Sequence, residues 1–170
     1  ANSSGIITMN KKMKNILSTA AQASLSDSNI VINGESGTGK ELLAKFIHTS
    51  SPRHDGPMLS INCGAFNDEL LTNELFGHDK GAFTGADTSK KGLIEQDVLR
   101  LGGTEPIHVD VRFIAATNRN LQEEVQLENF RNDLYFRINV VSLTLPPLAA
   151  RKDDIPVLIH HFLKKYSQEM

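Results

Sequence analysis

Gly34-Glu35-Ser36-Gly37-Thr38-Gly39-Lys40-Glu41 is the stretch that decides the fold of this chain. It follows the apolar run Ile30-Val31-Ile32 and leads into Leu42-Leu43-Ala44-Lys45-Phe46-Ile47, whose apolar spacing is helical. A strand, a glycine-rich turn and a helix in that order form a phosphate-binding P-loop, G-x-x-x-x-G-K-[ST], with Glu41 at the final Ser/Thr position. The glycines let backbone N–H groups close around phosphate oxygens, the helix N-terminus adds partial positive charge, and Lys40 reaches the outer phosphates. A merely solvated lysine would sit against the helix dipole. A glycine-rich turn without a ligand is the alternative, but the strand before it and the helix after it favour a nucleoside triphosphate site.

Working outward, 170 residues leave room for one core-forming domain. Formal net charge is −2, from 18 basic and 20 acidic residues, so no domain-wide positive field draws the chain to nucleic acid. Cys63 is the single cysteine, which excludes an internal disulfide and fits a reducing cytoplasm. No apolar run reaches membrane-spanning length and no signal-peptide core is present, so a cytoplasmic protein without membrane contact is expected. His160 and His161 point about 100° apart on a helix and cannot easily share a metal ion. Residues 1–5 read as a linker or tag remnant.

Apolar periodicity predicts a helix over 9–23, a strand over 29–32, and a helix from the P-loop to about residue 50. A second strand is predicted at 58–61 and a short helix at 67–76. Residues 77–92 contain four glycines and read as an extended loop. Further predictions are a strand at 109–115, short helices at 121–125 and 130–137, a strand at 140–145, and a helix at 155–166. Strands alternating with helices imply an α/β fold with a mostly parallel sheet flanked by helices.

Glu74-Leu75-Phe76-Gly77-His78 followed by Gly81-Ala82-Phe83-Thr84-Gly85-Ala86 resembles the signature of bacterial enhancer-binding proteins, the AAA+ activators of sigma-54 RNA polymerase. The resemblance runs from about Ile6 to the C-terminus through Asn62-Cys63, Ala115-Ala116-Thr117-Asn118, Phe130-Arg131-Asn132-Asp133-Leu134 and Leu145-Pro146-Pro147-Leu148. It implies a P-loop NTPase AAA+ domain over 6–147 and the start of a helical lid over 148–170. It also implies ATP and Mg²⁺ as cofactors, sigma-54 as partner, and a homo-oligomeric ring, usually a hexamer, that remodels the closed promoter complex. DNA contact is expected only through a domain that this sequence does not contain.

One departure is serious. In the family, the segment like Lys91-Gly92-Leu93-Ile94-Glu95-Gln96 leads into an apolar strand ending in Asp-Glu, the Walker B motif, then a helix and a second surface loop. Here Gln96 is joined directly to Asp97-Val98-Leu99-Arg100. Either the numbering runs on over residues absent from this sequence, or the segment was deleted. The first is favoured, because removing a central strand would strip its neighbours of backbone partners. If the deletion is real, the chain is expected to be a nucleotide-regulated binding module without hydrolysis.

The resemblance assigns roles residue by residue. Gly34 to Glu41 would hold the nucleotide. For Glu41, water-mediated Mg²⁺ coordination stands beside capping or solvation at the helix start. Asn62 would hold the Walker B glutamate, although strand-end turn chemistry also uses Asn. Thr117 and Asn118 look like the γ-phosphate sensor at a strand end. Arg137, and secondly Arg131, would reach the neighbouring subunit's nucleotide as arginine fingers; the alternative for Arg131 is a surface pair with Asp133. On one helix the two arginines would point about 120° apart. Gly81, Ala82, Phe83, Thr84, Gly85 and Ala86 would form the sigma-contacting loop, with Phe83 and Thr84 touching the partner. The alternative for Phe83 is a return into the core.

Overall fold

A computed structural model describes residues 5–60, 77–78, 90–91, 97–99, 106–108 and 110–168. Strands are numbered along the chain as β1 (Ile30–Asn33), β2 (Gly77–His78), β3 (Lys90–Lys91), β4 (Asp97–Leu99), β5 (Pro106–His108), β6 (Ile114–Thr117) and β7 (Val141–Thr144). Helices are α1 (Lys11–Ser24), α2 (Lys40–Thr49), α3 (Leu121–Gln126), α4 (Asn132–Ile138) and α5 (Asp154–Gln168), with a 3₁₀ turn at Leu148–Ala150. The chain divides into two units, one formed by residues 1–58 and 112–170 and the other by residues 59–111.

In the larger unit β1 is the middle strand of a parallel sheet ordered β6-β1-β7. A central parallel strand needs apolar residues on both faces, and Ile30-Val31-Ile32 supplies them. All three are essentially inaccessible, at 1% exposure or less. Ile30 and Ile32 pack with Met13, Ala20, Leu43, Ile47, Leu143 and Leu145 to make the core. Full burial of such an aliphatic side chain contributes roughly 1.5–3 kcal/mol.

Helix α1 starts where Asn10 accepts hydrogen bonds from the Lys12 and Met13 amides, an N-cap that satisfies two otherwise orphaned donors. Its buried Met13 and Ala20, seven residues apart, share one face, and Ile16, Leu17 and Ala23 pack against the same core. At its other end Arg112 donates to the helix-end carbonyls of Ala23 and Ser24 and to that of Ser28 beyond it. The α2 core face is Leu43, Ala44 and Ile47.

The described strands of the smaller unit form two antiparallel pairs, β2 with β3 and β4 with β5. The extended loop predicted at 77–92 thus has a paired strand at each end, Gly77 opposite Lys91 and His78 opposite Lys90. The strand predicted at 58–61 is not formed over its described part, 58–60. Met58 and Leu59 are exposed there, so the apolar residues that signalled a strand find no core. The strand predicted from 109 begins only at Ile114. The helix predicted at 67–76 lies outside the described residues.

Candidate nucleotide site

Because β1, β6 and β7 run parallel, the residues that follow them gather at one edge of the sheet, the carboxyl edge where α/β proteins bind ligands. Asn33 lies beside Thr117 on one flank and Thr144 on the other. The turn begins with Gly34, whose amide donates to the Thr117 carbonyl at 3.1 Å. A Cβ on Gly34 would meet Thr38 Oγ1 at 2.9 Å and the Leu145 carbonyl at 3.1 Å, so any other residue would have to shift the Thr38 hydroxyl and crowd Leu145. Inside the turn Thr38 is buried, and its hydroxyl donates to the Glu35 carbonyl at 2.8 Å.

The turn passes into α2 at Gly39, which stands at the N-cap with φ 98°, the left-handed conformation that glycine adopts without strain. No side chain caps this helix. Among the described residues no acceptor meets the amides of Gly39, Lys40, Glu41 and Leu42. Four backbone donors at a helix start, with the dipole behind them, fit an anionic phosphate. Lys40 Nζ lies against the same loop, donating to the carbonyls of Gly34 at 2.7 Å and Glu35 at 2.9 Å. Glu41 turns away to Lys45 at 2.7 Å, and that hydrogen bond holds its carboxyl below the usual range.

Thr117 and Asn118 stand beside the loop, as the sequence placed them. Thr117 Oγ1 accepts from the Arg119 amide at 3.0 Å. Asn118 lines a cleft of about 490 Å³ together with Val31, Asn33, Gly34 and Glu35. Such a volume suits a small-molecule ligand. Sequence reasoning missed two contributors here: Ser142, which accepts from Asn33 Nδ2 at 2.9 Å, and Tyr135, which lines the cleft. Neither carries a motif.

Of the two arginines, Arg137 is tied by its main chain to the opposite edge of the sheet. Asn29, which precedes β1, donates through its side-chain amide to the Arg137 carbonyl at 3.0 Å. Arg137 is therefore anchored by its main chain at the amino edge, while Tyr135 and Asn139 on either side of it line the cleft. Its side chain is exposed, and no carboxylate pairs with it among the described residues. Arg131 is the residue before α4, with extended dihedrals of φ −66° and ψ 133°. The helical angle between the two arginines therefore does not apply, because only Arg137 is on the helix. Arg131 forms a two-pronged pair with Asp133, at 3.1 and 2.8 Å, that keeps the Asp133 carboxyl below its ordinary range. Asn62 and the stretch from Gly81 to Ala86 lie outside the described residues.

The family described as "Sigma-54 interaction domain" matches residues 6–97 and 93–144. The chain is 42% identical over 193 aligned positions to the Nif-specific regulatory protein of Herbaspirillum seropedicae, covering 96% of this chain and 36% of that protein. It is 43% identical to the regulatory protein AtoC of Escherichia coli, covering 96% of this chain and 42% of that one. Among solved structures, NtrX from Brucella abortus in complex with ATP superposes with a TM-score of 0.77 at 31% identity, over 96% of this chain and 43% of that one. The chain thus spans less than half the length of these relatives. Its aligned part is 96% of 170 residues, about 163, so about 30 of the 193 aligned positions have no counterpart here.

Proposed function

Since the chain belongs to the sigma-54 interaction domain family and has its AAA+ α/β fold, we propose that it is the ATP-binding and ATP-hydrolysing domain of a cytoplasmic sigma-54-dependent transcriptional activator. The observation that carries this reading is the loop between β1 and α2. It offers four amides without an acceptor among the described residues, and a half-buried lysine, at the carboxyl edge of a parallel sheet.

In this reading Gly34 to Lys40 wrap the phosphates, and Thr117 and Asn118 monitor the terminal phosphate from the adjoining strand. ATP supplies the phosphoryl group. No three His, Cys, Asp or Glu side chains converge to hold a metal ion among the described residues. Mg²⁺ would then be held largely by phosphate oxygens and water, as this small ion commonly is. Arg137, at the amino edge, serves the nucleotide of a neighbouring copy, which makes a homo-oligomeric ring the working form. Residues 148–170 begin a helical lid, Asn62 reports nucleotide state, and Gly81 to Ala86 form the contact with sigma-54. Pairing of β2 with β3 supports that last role, because the paired strands bracket this stretch in sequence.

A second reading has its own observation. The family match falls into two parts that meet at residues 93–97, and no apolar run in the sequence ends in Asp-Glu. If Gln96 is truly bonded to Asp97 in the protein, the chain binds nucleotide and sigma factor but does not hydrolyse. The edge position of β6 among the described strands speaks for an additional strand, and hence for the hydrolysing form. Peptide mapping decides between them. Trypsin would release Gly92 to Arg100 as one peptide only if the junction is real.

The test of the primary reading is a direct ATP titration of the whole protein beside its Lys40→Ala variant. Binding should fall by at least about 100-fold, the scale of a lost charge-assisted contact. Unchanged affinity would remove the loop as the nucleotide site. Thr84→Ala should hydrolyse ATP normally and fail to activate transcription; loss of hydrolysis in a normally assembled ring would contradict its placement in a partner contact.

A further inference from the structure

The loop is held from behind by a group outside the motif. Arg151, in the turn between the 3₁₀ segment and α5, is 8% exposed, and its Nη2 donates to the Thr38 carbonyl at 2.8 Å in a fully buried bond. Its Nη1 lies 3.8 Å from Asp154 Oδ2, and Asp154 is completely buried. That carboxylate accepts from the Thr8 hydroxyl at 2.8 and 2.9 Å, from the Met9 amide at 2.7 Å and from the Asn10 amide at 3.0 Å. A continuous polar chain therefore runs from the N-terminal strap through Asp154 and Arg151 to the middle of the phosphate loop.

We infer that Arg151 is a positioning residue for the nucleotide: by holding the Thr38 carbonyl inward it aims the Gly39 amide outward into the phosphate cradle, and Asp154 ties that setting to the strap at Thr8 to Asn10. The peptide between Thr38 and Gly39 is planar and trans, so its C=O and N–H point in opposite directions. Fixing one fixes the other. Gly39 needs such a restraint, because glycine at a left-handed position has wide conformational freedom. Stability alone accounts poorly for the arginine. Its Nε is buried with no hydrogen-bond partner among the described residues, and a buried guanidinium with an unmatched donor is a weak stabiliser. The arrangement earns its place through what it holds.

This inference rests on the reading that the loop binds nucleotide, so the experiment separates the two. ATP affinity is measured by titration for the whole protein, for Arg151→Met and for Arg151→Lys, with circular dichroism and thermal unfolding on each. Arg151→Met, folded, should bind ATP about 10- to 100-fold more weakly, the range for losing one charge-assisted hydrogen bond. Arg151→Lys should recover part of that loss, since an ammonium can meet the Thr38 carbonyl but lacks the fork that also reaches Asp154. In the parent protein ATP should slow amide exchange at Met9 and Asn10, and in Arg151→Met it should not. Wild-type affinity in Arg151→Met overturns the inference. If that variant does not fold, wild-type affinity together with a wild-type exchange response in Arg151→Lys overturns it. A parent protein that binds no ATP overturns the nucleotide reading itself.

Discussion

The two edges of the parallel sheet treat their cations in opposite ways. At the carboxyl edge Lys40 is bound to two carbonyls of its own loop, and the loop is braced from behind by Arg151. At the amino edge only the Arg137 main chain is held, by Asn29, while the side chain extends into solvent. A charge that acts within its own chain can be set in place during folding. A charge destined for another copy must stay exposed until that copy arrives. In the proposed reading the loop of one chain holds the nucleotide and Arg137 serves the nucleotide of another.

Mixing variants is the strongest way to break this comparison. Arg137→Ala should lower ATP turnover by roughly 10³-fold or more, the effect of removing an arginine finger supplied in trans, while ATP affinity stays close to the parent's. Arg137→Ala mixed with Lys40→Ala should regain part of the turnover, because some interfaces then pair an intact loop with an intact arginine. Oligomer size must match in all samples. Parent-level turnover in Arg137→Ala, or no recovery in a mixed assembly, would place both charges in one chain or remove Arg137 from the reaction.

The same contrast explains what was legible in the sequence. The loop was readable because its parts are contiguous: strand, glycines, lysine and helix lie within residues 30–49. Thr117 and Asn118 were readable because a strand end fixes their edge. Arg151 and Asp154 were not. Their partners lie 113 and 144 to 146 residues away, and no local period marks such a contact. The available signal was weak: an Arg at i and an acid at i+3, with the acid in the first turn of a helix, reads first as dipole chemistry. Residues 58–60 failed for the reverse reason. Apolar composition suggested a strand, but Met58 and Leu59 are not buried over the described stretch. Arg131 was misplaced by one residue at a helix boundary, and that single residue cancelled an angular argument.

Acid provides a smaller and sharper test of the brace behind the loop. Burial raises the Asp154 carboxyl, but the Met9 amide, the Thr8 hydroxyl, the Asn10 amide and Arg151 outweigh it and leave the carboxyl below its ordinary value of 3.8. A lowered folded-state pKa stabilises above the unfolded value and is lost as pH falls through the folded one. Stability from this group should hold from pH 7 to about 5 and decline only below about 4. Asp154→Asn should cost about 1–3 kcal/mol at pH 7, from a lost buried acceptor, and less at pH 3. Urea unfolding at both pH values measures it, and an equal cost at each would show that the carboxylate charge is not what binds the strap.

The smallest effect is expected at Glu41, and it sharpens the comparison because this last residue of the stretch is turned toward Lys45. Helix α2 begins without a side-chain cap, and the Glu41 carboxylate is committed to Lys45 one turn along in an exposed pair. Such surface pairs contribute little, so Glu41→Gln should leave the thermal midpoint unchanged within error. ATP affinity should move by less than about threefold, since the carboxylate points along the helix rather than over the loop. The measurement that matters is a Mg²⁺ titration at fixed ATP. A parent-like Mg²⁺ dependence in Glu41→Gln would assign the residue to the solvated helix surface. A large rightward shift in that titration would instead require the carboxylate to leave Lys45 and reach the metal through water, which would make Glu41 part of the site and move the boundary of the phosphate loop one residue into α2.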